Sequence, residues 1–120
     1  MSTFRKAALS GSTNGRPIKV TDTGVTGADI IHTAQAGTGI DNFDEIYIWA
    51  NNTSGVDAKL TILWGGITDP DDIIEVTIAF EAGLNLIIPG FVLQNSLVVK
   101  AYAGTADVIN ITGFVNRITA

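Results

Sequence analysis

The stretch "DIIEVTIAF", residues 72–80, puts Ile74, Val76, Ile78 and Phe80 on one side of an extended chain and Ile73, Glu75, Thr77 and Ala79 on the other. That period of two belongs to a strand with one face in a core, because successive side chains of an extended backbone point in opposite directions. The pattern recurs. "DEIYIWA" offers Ile46, Ile48 and Ala50 to a core, "SLVVKAY" offers Leu97, Val99 and Ala101, and "DVINITGFV" offers Ile109, Ile111 and Val115, with Gly113 as a bulge or a point of close backbone approach. No segment makes a convincing helix. Turn residues separate the runs: "NNTSG" at 51–55, "GGITDPDD" at 65–72, "EAG" at 81–83, "PG" at 89–90 and "AGTAD" at 103–107.

With "RPIKV", "ADIIHTA", "AKLTILW" and "LNLIIP" added, the candidates number about eight, the strand number of a jelly roll. An immunoglobulin-like sandwich satisfies the same count; its Cys…Trp…Cys signature is absent here, as it is from many such domains. The expected fold is all-β: a single jelly-roll-like antiparallel β-sandwich over residues 16–120, preceded by a short N-terminal arm over residues 1–15. Within that arm "TFRKAAL" is followed by "SGSTNGR", whose Gly, Ser and Asn suit a flexible link.

At 120 residues the chain has the length of one compact domain. Charged residues make up only 16% of it, against about 25% in an ordinary soluble domain, so little charge is available to cover the surface. That charge is unevenly placed. Arg5, Lys6, Arg16 and Lys19 all precede the first acid, Asp22, leaving three cations against twelve acids downstream. A basic leading segment meets an acidic body, which disfavours nucleic acid as a partner, as does the lack of a basic stripe with interleaved aromatics.

Cysteine is absent, which removes disulfide frameworks, thiolate metal sites and cysteine nucleophiles together. The first twenty residues hold no apolar core of signal-peptide length. The longest apolar run, "LIIPGFVL", is far below the roughly 20 residues a membrane helix needs. A soluble cytoplasmic chain that binds no membrane is expected.

Residues that could carry chemistry are few. His32 is the single histidine, three residues from Asp29, and no "GxSxG" elbow accompanies it. A metal site needs three or four ligands, and no second His or any Cys exists to help His32 supply them. A structural histidine bonded to backbone or packed at a strand edge is the expectation. "DPDD" at 69–72 offers carboxylates without the spacing of a calcium loop and reads as an acidic turn. The glycine pairs at 37–39 and 65–66 lead into no phosphate-binding helix. No catalytic residue, metal site or cofactor is therefore expected, and the chain does not read as an enzyme.

What remains is surplus apolar surface. If Ile46, Ile48 and Ala50 point inward, Tyr47 and Trp49 point outward, and by the same rule Leu63, Ile73, Val98, Tyr102, Val108 and Phe114 fall on outward faces. So many outward apolar residues on so small a domain call for a covering partner, and aromatic residues are what interface cores enrich.

Taken in order, "GRPIKV", "IIHTA", "DEIYIWANNTSG", "KLTILWGG", "NLIIPGFVLQNSLVVKAYAG" and "DVINITGFVNRI" resemble the small virion proteins of tailed bacteriophages, in particular the capsid decoration (cement) proteins. The resemblance covers roughly residues 15–118 and rests on pattern, order and length. It implies a jelly-roll-like subunit, often a trimer, synthesised in the host bacterial cytoplasm and placed on the capsid exterior of the virion, where it ties neighbouring major capsid proteins together. Phe4, Arg5, Lys6 and Arg16 are the candidates for capsid contact, and Trp49, Tyr102 and Phe114 for contact between subunits. The alternative is a carbohydrate- or receptor-binding sandwich in which Trp49, Trp64 and Tyr102 stack on sugar rings while Asn51, Asn52 and Asp57 bond hydroxyls.

Overall fold

The computed structural model describes residues 2–120. Nine strands form among them: β1 (Thr3–Ala8), β2 (Ile18–Lys19), β3 (Asp29–Thr33), β4 (Phe43–Asn52), β5 (Ala58–Trp64), β6 (Ile73–Ile78), β7 (Asn85–Leu93), β8 (Val98–Ala103) and β9 (Ile109–Thr119). The described residues contain no helix. Two antiparallel sheets result, a larger one in the order β1-β9-β4-β7 with β2 also on β9, and a smaller one in the order β3-β8-β5-β6.

The pairing follows from one long hairpin rolled up. β2 pairs with β9, β3 with β8, β4 with β7 and β5 with β6, so the chain runs out and returns along itself. Rolling that double strand brings β4 against β9 and β5 against β8, which closes two sheets over one core and gives the jelly-roll order. The core is the set of residues the alternation names. Ile46, Ile48, Ala50, Ile109, Ile111 and Val115 line the larger sheet's inner face, and Leu60, Ile62, Val99 and Ala101 meet them from the smaller one.

Four expectations change. First, the segment expected to form an arm is strand: β1 pairs residue for residue with β9, from Thr3 opposite Thr119 to Ala8 opposite Phe114. Nor is the link after it loose, since Leu9 is buried, Ser10 and Gly11 bond to β3, and β2 then resumes on the same edge of β9. Second, "PG" at 89–90 is no turn but an irregularity inside β7, where Gly90 takes φ +95° and the register with β4 shifts. Third, Leu97 and Phe80 are exposed, because each lies just outside its strand, where the alternation no longer holds. Fourth, Leu63 lies in register with Lys100 and Ile73 on the smaller sheet's outer side, yet it is buried.

Candidate functional site

The outer face of the larger sheet gathers aromatic side chains. Tyr47 on β4 stands directly opposite Phe114 on β9, Trp49 stands opposite Thr112, and Lys6 on β1 stands opposite Asn116. Ring centroids lie 4.8 Å apart for Tyr47 and Phe114, 6.0 Å for Trp49 and Phe114, and 6.3 Å for Tyr47 and Trp49, each pair stacked within 27° of parallel. Lys6 places its ammonium 4.2 Å from the Phe114 centroid, in cation–π range.

Two glycines make this face possible. A Cβ at Gly113 would come within 2.0 Å of the Tyr47 carbonyl oxygen, and one at Gly90 within 2.8 Å of the Tyr47 ring. The backbone of β9 therefore closes up against β4, and the ring of Tyr47 lies down over β7. Glu45 anchors the polar end of the ladder, accepting from the Tyr47 hydroxyl at 3.1 Å and from the Asn116 amide at 3.0 Å. That bond, ahead of desolvation and the carboxylate's charge, raises the Tyr47 hydroxyl above its ordinary pKa.

Around this half-buried ladder lie exposed apolar residues on the same face. Phe4 is 67% exposed, Leu86 in register with Trp49 is 51% exposed, and Val92 in register with Glu45 is 51% exposed. None of the described residues covers them.

Of the residues expected to meet a capsid, Phe4 and Lys6 share this face with Trp49 and Phe114, which were expected to join subunits. These four residues thus belong to one surface, and the other three do not. Arg5 points the other way along β1, opposite Arg117, and Arg16 lies in the loop before β2, where its backbone N–H donates to the Thr13 carbonyl. Tyr102 is on the opposite sheet, in register with Thr61.

The residues named for sugar binding do not converge. Trp64 meets Phe91 edge-on at 6.3 Å, away from both Trp49 and Tyr102. Asn52 is buried and holds its turn together, donating to the carbonyls of Val56 and Ile78 and accepting from Ser54. Asp57 accepts from the Phe80 N–H. A shallow cleft of about 310 Å³ on the smaller sheet is lined by Gly65, Gly66, Ile67, Ser96, Leu97, Val98 and Lys100, so its lone charged group is an ammonium.

A second cluster went unforeseen. His32 and Asp44 are both buried, and His32 Nε2 lies 2.7 Å from Asp44 Oδ2. The Ser10 backbone N–H donates to His32 Nδ1 at 2.9 Å. Since Nδ1 accepts, the ring proton sits on Nε2 and is donated to Asp44, leaving the imidazole neutral with both nitrogens committed. Burial, the largest influence, depresses the His32 pKa below its ordinary 6.5, and the positive charge of Arg117 adds to that; the bond and charge of Asp44 oppose it without prevailing.

Arg117 grips the same carboxylate from β9 through Nε to Oδ1 at 2.7 Å and Nη2 to Oδ2 at 2.8 Å. Burial on its own would raise the Asp44 pKa, but the bonds and charges of Arg117 and His32 outweigh it and hold the carboxyl below its ordinary value. Gln35 completes the shell, its N–H donating to Asp44 and its side-chain amide to the carbonyls of Phe43 and Ile118. The cluster ties β3 of one sheet to β4 and β9 of the other. Asp29, the acid nearest His32 in sequence, instead accepts from Thr21 and Asp22.

Among the described residues no three His, Asp or Glu side chains gather as a metal cluster. Within "DPDD", Asp72 closes its own loop, its carboxylate accepting from the Thr68 N–H at 3.0 Å. Set against known proteins, the chain matches no family model, no curated protein and no solved structure.

Proposed function

We propose that this chain is a structural virion protein that binds the outside of an assembled bacteriophage capsid and stabilises it by bridging neighbouring major capsid proteins. The aromatic face of the larger sheet is the surface that meets the shell. The observation that carries this is the ladder of Tyr47, Trp49 and Phe114, rimmed by exposed Phe4, Leu86 and Val92 and capped by Lys6. Such a face loses free energy to water until another protein covers it, at roughly 25 cal/mol per Å² of apolar area. The resemblance of the sequence to capsid decoration proteins supplies the identity of the covering protein.

The mechanism is mechanical and needs no cofactor. A subunit seated across two capsid proteins binds the assembled lattice and not the free capsid chain, so mass action favours the assembled state. Many copies per shell multiply a modest individual gain.

The test adds purified protein to shells stripped of it. Saturable binding and a higher rupture temperature are expected with the wild-type chain, and loss of both with a Trp49→Ser, Phe114→Ser variant that still folds. If bare particles prove as stable as decorated ones yet fail to adsorb to host cells, receptor binding replaces shell stabilisation as the function.

A further inference from the structure

Two sheets give four edges, and this chain closes two of them. On β7, Pro89 has no N–H to offer, and the register shifts twice against β4, so the edge is bent and broken. On β3, the Gly11 N–H donates to the Ile31 carbonyl at 2.9 Å, and the Thr33 N–H donates to Ser10 Oγ at 2.7 Å, so a passing segment occupies the edge.

The edges of β1 and β6 are left open. Among the described residues β1 pairs only with β9 and β6 only with β5. Along β6 the engaged groups are at its ends, where the Asn52 amide donates to the Ile78 carbonyl and the Ile73 N–H donates to the Pro70 carbonyl. Both strands are six residues long, and they lie on opposite sides of the sandwich. Their charges are opposite too: β1 carries Arg5 and Lys6, and β6 carries Glu75 after Asp71 and Asp72.

We infer that β1 of one copy adds to β6 of the next, antiparallel, joining the larger sheet of one subunit to the smaller sheet of its neighbour in a closed head-to-tail ring. Setting Lys6 opposite Glu75 pairs Phe4 with Thr77 and Ala8 with Ile73 on the outer side, and Arg5 with Val76 and Ala7 with Ile74 on the inner side. Side-chain direction agrees at every position, since Lys6 stands over the outer face while Ala7, Ile74 and Val76 pack toward the core. Glu75 already holds Lys59 from the neighbouring β5; a carboxylate has oxygens for both ammonium groups.

The same residues work against symmetric pairing. Two β1 strands meeting about a two-fold axis at their centre, the register with the most main-chain bonds, set Arg5 against Arg5 or Lys6 against Lys6, and two β6 strands centred alike set Glu75 against Glu75. Like charges directly opposite destabilise a strand pair. Main-chain bonds supply the affinity, as when any strand is added to a sheet edge, and charge supplies the direction. The charge pattern thus makes the contact heterologous, and such a contact, repeated, closes into a ring or runs on as a filament; we take the ring, and in it the outer faces remain free for a partner. The inference deepens the reading above: it rests on copies associating and not on the shell as their partner.

Because the chain has no cysteine, introduced pairs report the contact without background. Phe4→Cys with Thr77→Cys, both at exposed positions, should give disulfide-linked multimers on a denaturing gel. Phe4→Cys with Ile73→Cys, displaced by four residues or about 13 Å along the strand, should not. By light scattering the wild-type chain should be a closed oligomer. Lys6→Glu should weaken association about ten-fold or more, and Lys6→Glu with Glu75→Lys should recover it. A wild-type monomer at micromolar concentration, equal linking by both cysteine pairs, or a double variant weaker than either single one overturns the inference. Shell binding is scored separately: linked multimers that ignore shells sink the capsid reading alone, whereas monomers that bind shells sink this one alone.

Discussion

The cluster of His32, Asp44 and Arg117 and the face of Tyr47, Trp49 and Phe114 invert the usual placement of side chains in opposite senses. At the first, charge lies inside; at the second, aromatic carbon lies at the surface. They differ in completeness. Asp44 receives hydrogen bonds from His32, Gln35 and Arg117, and no buried side-chain polar atom among the described residues lacks a partner. The aromatic ladder is completed only in part, by Lys6 and Glu45 at its margins, and Phe4, Leu86 and Val92 stay open. A misplaced group whose partners all belong to its own chain is part of the fold. One whose partners are missing points to a second molecule.

That distinction fails if the buried cluster can be emptied without harm. Asp44→Ala would leave the Arg117 guanidinium and the His32 ring N–H without their acceptor, and a loss of about 3–5 kcal/mol is expected in denaturant unfolding. A loss under about 1 kcal/mol would mean the three groups are mere neighbours. Gly113→Ala should come next, at about 1–3 kcal/mol, because its methyl group would strike the Tyr47 carbonyl and push β9 off β4. Full stability in that variant would break the claim that close approach of the two backbones builds the aromatic face.

Removing the face itself should cost less. Trp49→Ser with Phe114→Ser forfeits all three stacked contacts of the ladder, worth about 0.5 kcal/mol each at the low end for such half-exposed pairs, and the measurement is the gap between a small drop in melting temperature and a complete loss of shell binding. If stability falls as far as in Asp44→Ala, the ladder is core and not interface.

The smallest effect is with pH. His32 titrates lower in the fold than its ordinary 6.5, so folding favours the neutral ring. Its contribution is present above about pH 6.5 and is lost as pH falls through the lowered value, by at most about 1.4 kcal/mol for each pH unit. Asp44, held below its ordinary 3.8, extends the loss into stronger acid. His32→Gln should flatten the stability curve between pH 6.5 and 5; an unchanged slope would assign the acid sensitivity elsewhere.

Much of this was legible before the structure. Alternation placed Ile46, Ile48 and Ala50 inward and Tyr47 and Trp49 outward, and every one of the eight expected strands exists. The same parity, carried one step further, also puts Asp44 and Arg117 inward, two residues beyond Ile46 and Val115. The signal was present, but it reads as a strand end until the two charges, 73 residues apart, are seen to meet. Strand β1 escaped for a different reason. "TFRKAA" alternates only weakly, and its pairing is dictated by β9 rather than by its own residues. Leu63 shows the limit of parity, which tells the side of a sheet and not whether that side is covered.

The nested hairpin has a consequence for synthesis. β9 is the inner strand on which β1, β2 and β4 all depend, and it is the last of the nine to leave the ribosome. At about 5–20 residues per second, the early strands wait several seconds with their apolar faces unshielded, unable to form the larger sheet until residues 109–119 arrive. A stalled or truncated chain therefore yields no partly useful domain, only exposed strands for proteases and chaperones to find. The larger sheet can close only once residues 109–119 have been made.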